Sequence, residues 1–436
     1  MKKILILYEN TGSGHKRAAK ILESILGESP EYQVVSYAGS ELFDDEGVEI
    51  INQVWAYLLR QNWIRLADYV INFFFRRWVL PLIEVSQVRR YFNKLDEISP
   101  DIMICTADCI GRGLGTYSKE KSIPFYLLIT EMSIFFDLVN PQATHICYFP
   151  ETINAIRSFS FEAASFSLRV DRSSTIWDKV KYVLKMYKEY ILLAGRNSIY
   201  RNIDREHPER NQAKCVAIGP MVEPLYYVKK NKLPMREKFG IDLNTPCLLV
   251  ISGSIGGEYL YQIVRTFQDM YHEPFDKLRT SPLTILAVCG KDQSSYLKVD
   301  AIKERNPALK VMPFGFVHYL DELYTATDVV IARPSAGILL EALTKHIPLI
   351  LPDKATSNDL GGIELIKRHQ LGEIYRDQNE IPQLFTRIIS NYQNYVDHIG
   401  RFLAPYSADF GRLKETIQRI ILHDVPEQVR SQGRSA

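Results

Sequence analysis

"DVVIARPSAGILLEALTKHIPLILPD", Asp328 to Asp353, is the stretch on which the fold reading turns. "DVVIARP" is a short apolar run that stops at Pro334, as a buried strand does. Ser335, Ala336 and Gly337 follow and open a helical pattern that carries Glu341 in its second turn. "IPLILPD" is the next strand. Strand, tight turn, helix and strand in this order make a βα unit of a parallel sheet. The turn also has chemistry. Small residues at a helix start let exposed amides meet a phosphate at the positive end of the helix dipole. Glu341 lies too far along to compete for that phosphate, and its carboxylate suits a pair of ribose hydroxyls. Without a ligand, the same residues read as a capped surface helix with a solvated glutamate.

The same rhythm extends in both directions. "PCLLVISGS", "LTILAVCG" and "LKVMPFGF" are further strands before Asp328. At the other end, "KKILILYE" is a strand, and Ala18, Ala19, Leu22, Ile25 and Leu26 then recur with helical spacing. "YQVVSYA", "DIMICTAD", "PFYLLITE" and "ATHICYF" continue the alternation. The expected class is α/β, with two doubly wound domains. The first is placed at 1–222, with an insertion at about 158–214, and the second at 223–405. Residues 406–436 are expected to form a C-terminal helix and a mobile tail.

Composition excludes several classes. The chain has 436 residues, 46% hydrophobic and 24% charged, with a net charge of +2, so a large core is expected and nucleic-acid binding is not. The six cysteines include one close pair, Cys105 and Cys109, without the partner ligands that a zinc site needs. Buried thiols in a reducing compartment are the expectation. No leader-like segment and no run long enough to span a bilayer is seen. The chain is expected to be cytoplasmic or attached to a cytoplasmic membrane face.

"NTGSGHKRAAKIL", Asn10 to Leu22, joins the first strand to the first helix. Gly12 and Gly14 suit close backbone approach to a ligand. A dinucleotide fold would add a third glycine, where Arg17 stands, and an acid after the second strand, which is missing. His15 stands at the sheet edge where ligands bind, and reads either as a general base or as a helix-start histidine without a role.

These segments together resemble the lipid-glycosylating GT-B glycosyltransferases: monogalactosyldiacylglycerol synthases, processive diacylglycerol glucosyltransferases and the transferase that forms lipid II. The match runs through Asp328, Ile331, Arg333, Pro334, Gly337, Glu341, Ala342, Pro348, Ile350 and Leu351. It includes Thr11, Gly12, Gly14, His15 and Ala19 in the opening loop, "ISGSIGG" at 251–257, "AVCGKD" and the linker "AIGPMVEPLY". The resemblance implies two Rossmann-like domains facing across a cleft, and an inverting transfer of a hexose from a UDP-sugar to a membrane lipid such as diacylglycerol. It implies a donor site of Gly253, Ser254, Gly256, Phe316, Val317, Arg333, Ser335, Ala336, Gly337 and Glu341. It makes His15 the base or orienter for the acceptor, with Glu131 and Asp108 as further candidates. No cofactor and no divalent metal is called for; a helix start and loop amides can stabilise the leaving UDP. Ser335 and Ile338 depart from the usual glycine and hydroxyl residues, and "PDKATSNDLGGIEL" replaces the usual sugar-contacting segment, which leaves the sugar open.

Between residues 50 and 95 aromatics alternate with arginine. Trp55, Trp63, Phe73, Phe74, Phe75, Arg76, Arg77 and Trp78 are expected at an anionic membrane surface, peripheral on the inner face of the cell membrane. The bland alternative is a core helix with snorkelling arginines. Two other functions stay in view: a UDP-GlcNAc 2-epimerase-like enzyme, and a non-catalytic nucleotide-binding protein of the same fold.

Overall fold

A computed structural model describes residues 1–10, 14–43, 46–107, 111–159, 175–181, 183–184, 200–201, 203, 208–253, 257–272, 282–302, 308–406 and 409–423. Two parallel six-stranded sheets organise them. The first comprises β1 (Lys2–Tyr8), β2 (Tyr32–Ala38), β3 (Ile102–Cys105), β4 (Phe125–Leu128), β6 (Ala143–Cys147) and β8 (Lys214–Ala217), in the order β2-β1-β3-β4-β6-β8. Between them β5 (Ile134–Phe135) pairs antiparallel with β7 (Tyr200–Arg201). The second sheet comprises β9 (Cys247–Ile251), β10 (Leu283–Val288), β11 (Leu309–Phe314), β12 (Val329–Ala332), β13 (Leu349–Pro352) and β14 (Gly372–Tyr375), ordered β11-β10-β9-β12-β13-β14.

Continuous apolar runs explain this arrangement. Ile4 to Leu7 and Leu248 to Val250 are fully buried, because helices cover both faces of a parallel sheet. The opening helix, Gly14–Leu26, buries Ala18, Ala19, Leu22, Ile25 and Leu26, the residues with helical spacing. Each sheet reverses its winding once, beside its first strand: between β1 and β3 in one, between β9 and β12 in the other. At such a reversal the loops leave in opposite directions and open a crevice beyond the strand ends.

The chain crosses between domains twice. The first crossing follows β8 through 218–224. The second leaves helix Tyr392–Leu403 and enters helix Phe410–Gln418, which packs back on the first domain. There Leu413 and Ile417 are fully buried, Gln418 donates to the Ile25 carbonyl at 3.0 Å, and the Tyr126 hydroxyl donates to the Ile420 carbonyl at 3.1 Å. The crossings touch. Gly219 has φ +80°, and a Cβ there would lie 2.6 Å from Cβ of Tyr406, so both conformation and space require glycine. The expected tail beyond 423 and most of the 158–214 insertion lie outside the described residues.

The aromatic-basic region forms helix Glu46–Arg60, a short turn Ile64–Ala67 and a π-helical stretch Asp68–Val79. Bonding from i to i+5 widens the turn, and residues four apart fall near one line. Asp68, Asn72, Phe75 and Arg76 face inward and are buried; Leu66, Tyr69 and Phe74 face outward and are exposed. Phe75 and Arg76 are therefore corrected from membrane contacts to interior residues. Arg76 donates to Asp137 at 2.5 Å and lies 4.1 Å over the Phe135 ring, so its charge is paired in the interior and not presented at the outer surface. Trp63 is exposed, while Trp55, Phe73, Arg77 and Trp78 are half-buried. Among the described residues no helix is long and apolar enough to cross a membrane.

Candidate functional site

The two crevices face each other across a cavity of about 810 Å³. On the first-domain side, β1 leads into the opening helix and β3 ends at Cys105. Gly14 and His15 begin that helix, and the His15 ring lines the cavity. Nδ1 of His15 lies 2.5 Å from the Thr106 carbonyl, just past β3, and 3.0 Å from the Thr130 hydroxyl. A carbonyl only accepts, so Nδ1 carries the proton and the basic lone pair sits on Nε2. This is the tautomer a general base needs, and the winding reversal creates it by placing the end of β3 beside the helix that follows β1.

On the second-domain side, β12 ends in Arg333 and Pro334, Ser335 is the extended residue before the helix, and Ala336–Thr344 is the helix itself. Its first amides have no partner within the helix, and Ser335, Ala336 and Gly337 line the cavity. A Cβ at Gly14 or at Gly337 would meet nothing within 4 Å, so both helix starts border open space. Gly253, after β9, has φ +75° and lines the same wall. Phe316 is exposed at the cavity edge and Val317 is half-buried beside it.

Arg333 is a cation of this wall, beside Lys291, Lys354 and Arg376. Its Nη2 donates to the Leu59 carbonyl at 2.8 Å, its guanidinium lies 5.7 Å over the Tyr259 ring, and its buried Nη1 has no partner among the described residues. Burial pulls its pKa down, but a guanidinium stays charged at neutral pH. A buried cation with one unused donor edge beside a helix start fits a phosphate.

Glu341 is almost fully buried and pairs with Arg17 of the opening helix, across the cleft. Burial raises its pKa, and Arg17 acts against that rise. Arg17 also lies 3.7 Å from Glu223 of the linker.

A polar chain, absent from the sequence expectations, closes the far side of the cavity. Asp68 accepts from the amide and hydroxyl of Ser357 at 2.7 and 2.9 Å. Asn72 donates to Asp68 at 2.8 Å and to Asn358 at 2.6 Å; Asn358 donates to Glu131 at 2.5 Å. The candidate base Glu131 is thus tied to the loop after β13. Nearby Asp359 accepts from the Thr356 hydroxyl at 3.2 Å, and burial pushes its carboxyl up to about 7. The four-residue spacing of Asp68, Asn72 and Arg76 inside an apolar stretch was the signal for this chain. Gly12, Asp108, Ser254 and Gly256 lie outside the described residues.

The cavity, with a phosphate-fitting wall facing a histidine, can be compared with known proteins. Residues 247–387 match the glycosyltransferase family 28 C-terminal domain. The chain is a glycosyltransferase. It is 25% identical over 391 residues to a processive diacylglycerol beta-glucosyltransferase of Bacillus pumilus, covering 85% of this chain and 84% of that protein. It is 21% identical over 444 residues to a probable chloroplastic monogalactosyldiacylglycerol synthase of Nicotiana tabacum, covering 99% of this chain and 72% of that one. MurG of Acinetobacter baumannii superposes with a TM-score of 0.58 at 14% identity, covering 97% of this chain and all 100% of MurG. That likeness is one of fold: this glycosyltransferase has GT-B architecture, two Rossmann-like domains across a cleft. The family match falls on the half that holds Arg333, the helix start and Glu341. His15, Arg17, Asp68, Asn72 and Glu131 lie outside it, while Ser357 and Asn358 lie within it.

Proposed function

We propose that this glycosyltransferase moves a hexose from a UDP-sugar to the hydroxyl of a diacylglycerol-type membrane lipid, with inversion at the anomeric carbon. The observation that carries this reading is the opposition of His15 to Arg333 and the helix start across one cavity. The enzyme is a UDP-sugar-dependent hexosyltransferase. Arg333 and the amides of Ala336 and Gly337 meet the diphosphate, and Glu341 accepts from the ribose. His15 Nε2 takes the proton of the acceptor hydroxyl as its oxygen attacks the anomeric carbon. The bond to UDP breaks, and the negative charge that develops on the diphosphate is stabilised by donors already in place.

The lipid acceptor is supported by the cavity's first-domain wall. Ile51, Trp55, Leu59, Ile64, Ile71 and Phe75 line it, an apolar surface of the kind that holds acyl chain. The opposite face of the same segment exposes Tyr57, Trp63, Leu66, Tyr69 and Phe74. One face for the lipid tail and one for the bilayer suit peripheral attachment at the inner face of the cell membrane. The processive glucosyltransferase and galactolipid synthase relatives agree with this acceptor class.

The test is UDP release from UDP-glucose, UDP-galactose and UDP-GlcNAc, with and without anionic liposomes containing diacylglycerol. Wild type releases UDP from one donor in a lipid-dependent way. His15→Ala loses this by roughly 10²- to 10⁴-fold while binding UDP normally. Epimerised UDP-sugar without transfer, or UDP binding without any turnover, overturns the reading.

A further inference from the structure

Resting on the nucleotide reading of the second-domain wall, we infer that Arg17 is a positioning residue for ribose recognition. It reaches from the acceptor domain to hold the Glu341 carboxylate ionised and aimed at the ribose hydroxyls. Glu341 and Arg17 belong to different domains and lie 324 positions apart in the chain. The Glu341 side chain is 3% exposed and Arg17 is 39% exposed, and both line the cavity.

A buried carboxylate needs a reason to stay charged. Besides Arg17, the titratable groups that face it are Glu223 and Tyr226 of the linker and Tyr324 of helix Leu320–Ala326. Glu223 repels it, and the two neutral tyrosines face it with hydroxyls that favour the ionised form. Arg17 is the cation among these groups, and its loss moves the balance toward the protonated acid. The distinction matters for binding. An ionised carboxylate is acceptor-only, with room for about four hydrogen bonds, so it can serve Arg17, a facing tyrosine and sugar hydroxyls together. A protonated acid donates one and presents a weaker acceptor.

The placement of Arg17 adds a second consequence. It sits two residues after His15 on the same helix. A ribose that engages Glu341 therefore binds a carboxylate whose counter-ion belongs to the helix of the base. Recognition of the nucleotide is complete only with the first domain docked and His15 at the cavity.

The experiment is calorimetric titration of the full chain with UDP and with 2′,3′-dideoxyuridine 5′-diphosphate, which lacks both ribose hydroxyls. Wild type, Arg17→Ala, Arg17→Lys, Glu341→Gln and the Arg17→Ala/Glu341→Gln double variant are compared at about pH 6 and about pH 8. Wild type prefers UDP over the dideoxy analogue by roughly tenfold or more. Arg17→Ala loses most of that preference, more completely at the lower pH, while its affinity for the analogue is unchanged. Arg17→Lys keeps part of the preference, and the double variant behaves like Glu341→Gln alone. Unchanged analogue binding also shows that the variants are folded. The inference is overturned if Arg17→Ala keeps the full preference, or weakens both ligands equally, while Glu341→Gln abolishes the preference. If Glu341→Gln leaves the preference intact, the ribose reading of Glu341 fails and this inference fails with it.

Discussion

The carboxylate of Asp68 accepts from both the backbone amide and the hydroxyl of Ser357, 289 positions later, at 2.7 and 2.9 Å. The π-helical stretch Asp68–Val79 and the loop that follows β13 are therefore one hydrogen-bonded unit, although each belongs to a different domain. Removing the carboxylate takes a hydrogen bond each from a buried amide and a buried hydroxyl. Asp68→Ala is expected to cost about 1–3 kcal/mol of stability. Urea unfolding checks that cost, and amide exchange at Ser357 and Asn358 checks its location. Exchange that accelerates equally over the whole second domain would contradict a local tether.

Arg76 and Asp137 are 3% and 1% exposed and lie 2.5 Å apart. Breaking a buried pair strands a charge, at about 3–5 kcal/mol, whereas replacing both partners by apolar residues of similar volume costs much less. Arg76→Met and Asp137→Leu singly are expected to unfold at markedly lower denaturant, and the double variant to recover much of the loss. A surface role for Arg76 predicts instead an unchanged midpoint and weaker vesicle binding.

The proposed membrane attachment falls on the outward face of the same segment. Trp63→Ser with Phe74→Ser should weaken sedimentation with anionic vesicles by on the order of tenfold or more, since each buried aromatic contributes about 1.5–3 kcal/mol. UDP affinity should not change, because neither side chain lines the cavity. Equal vesicle binding by the variant would move the membrane contact elsewhere.

Asp359 gives a pH signature. Burial pushes its carboxyl from the ordinary 3.8 to about 7. The unfolded chain releases this proton near 3.8 and the folded chain near 7, so the folded state binds more protons in between. Its contribution to stability is full below about pH 4 and is lost as pH rises to about 7. Asp359→Asn removes the titration. Its melting temperature should exceed that of wild type by a margin that widens across this window and is flat above it. A constant margin would show an unshifted carboxyl.

Much of the fold was legible because parallel strands buried on both faces write themselves as unbroken apolar runs, as in Ile4 to Leu7 and Leu248 to Val250. The helix start at the cavity was legible for a related reason: Ser335 to Gly337 follow a strand directly, and a helix start is a local feature. What the sequence concealed was long-range. Nothing near Arg17 announces Glu341, and nothing near Asp68 announces Ser357. The inward turn of Phe75 and Arg76 was concealed by backbone geometry, since a π-helical stretch moves residues off the faces that ordinary helical spacing assigns. A run of aromatics and arginines has the same composition whether it faces lipid or a buried aspartate.

Gly219 against Tyr406 is where the chain leaves the first domain and where it comes back. Both covalent links between the halves therefore pass one point, and a side chain added at Gly219 would press on the outgoing and the returning link together.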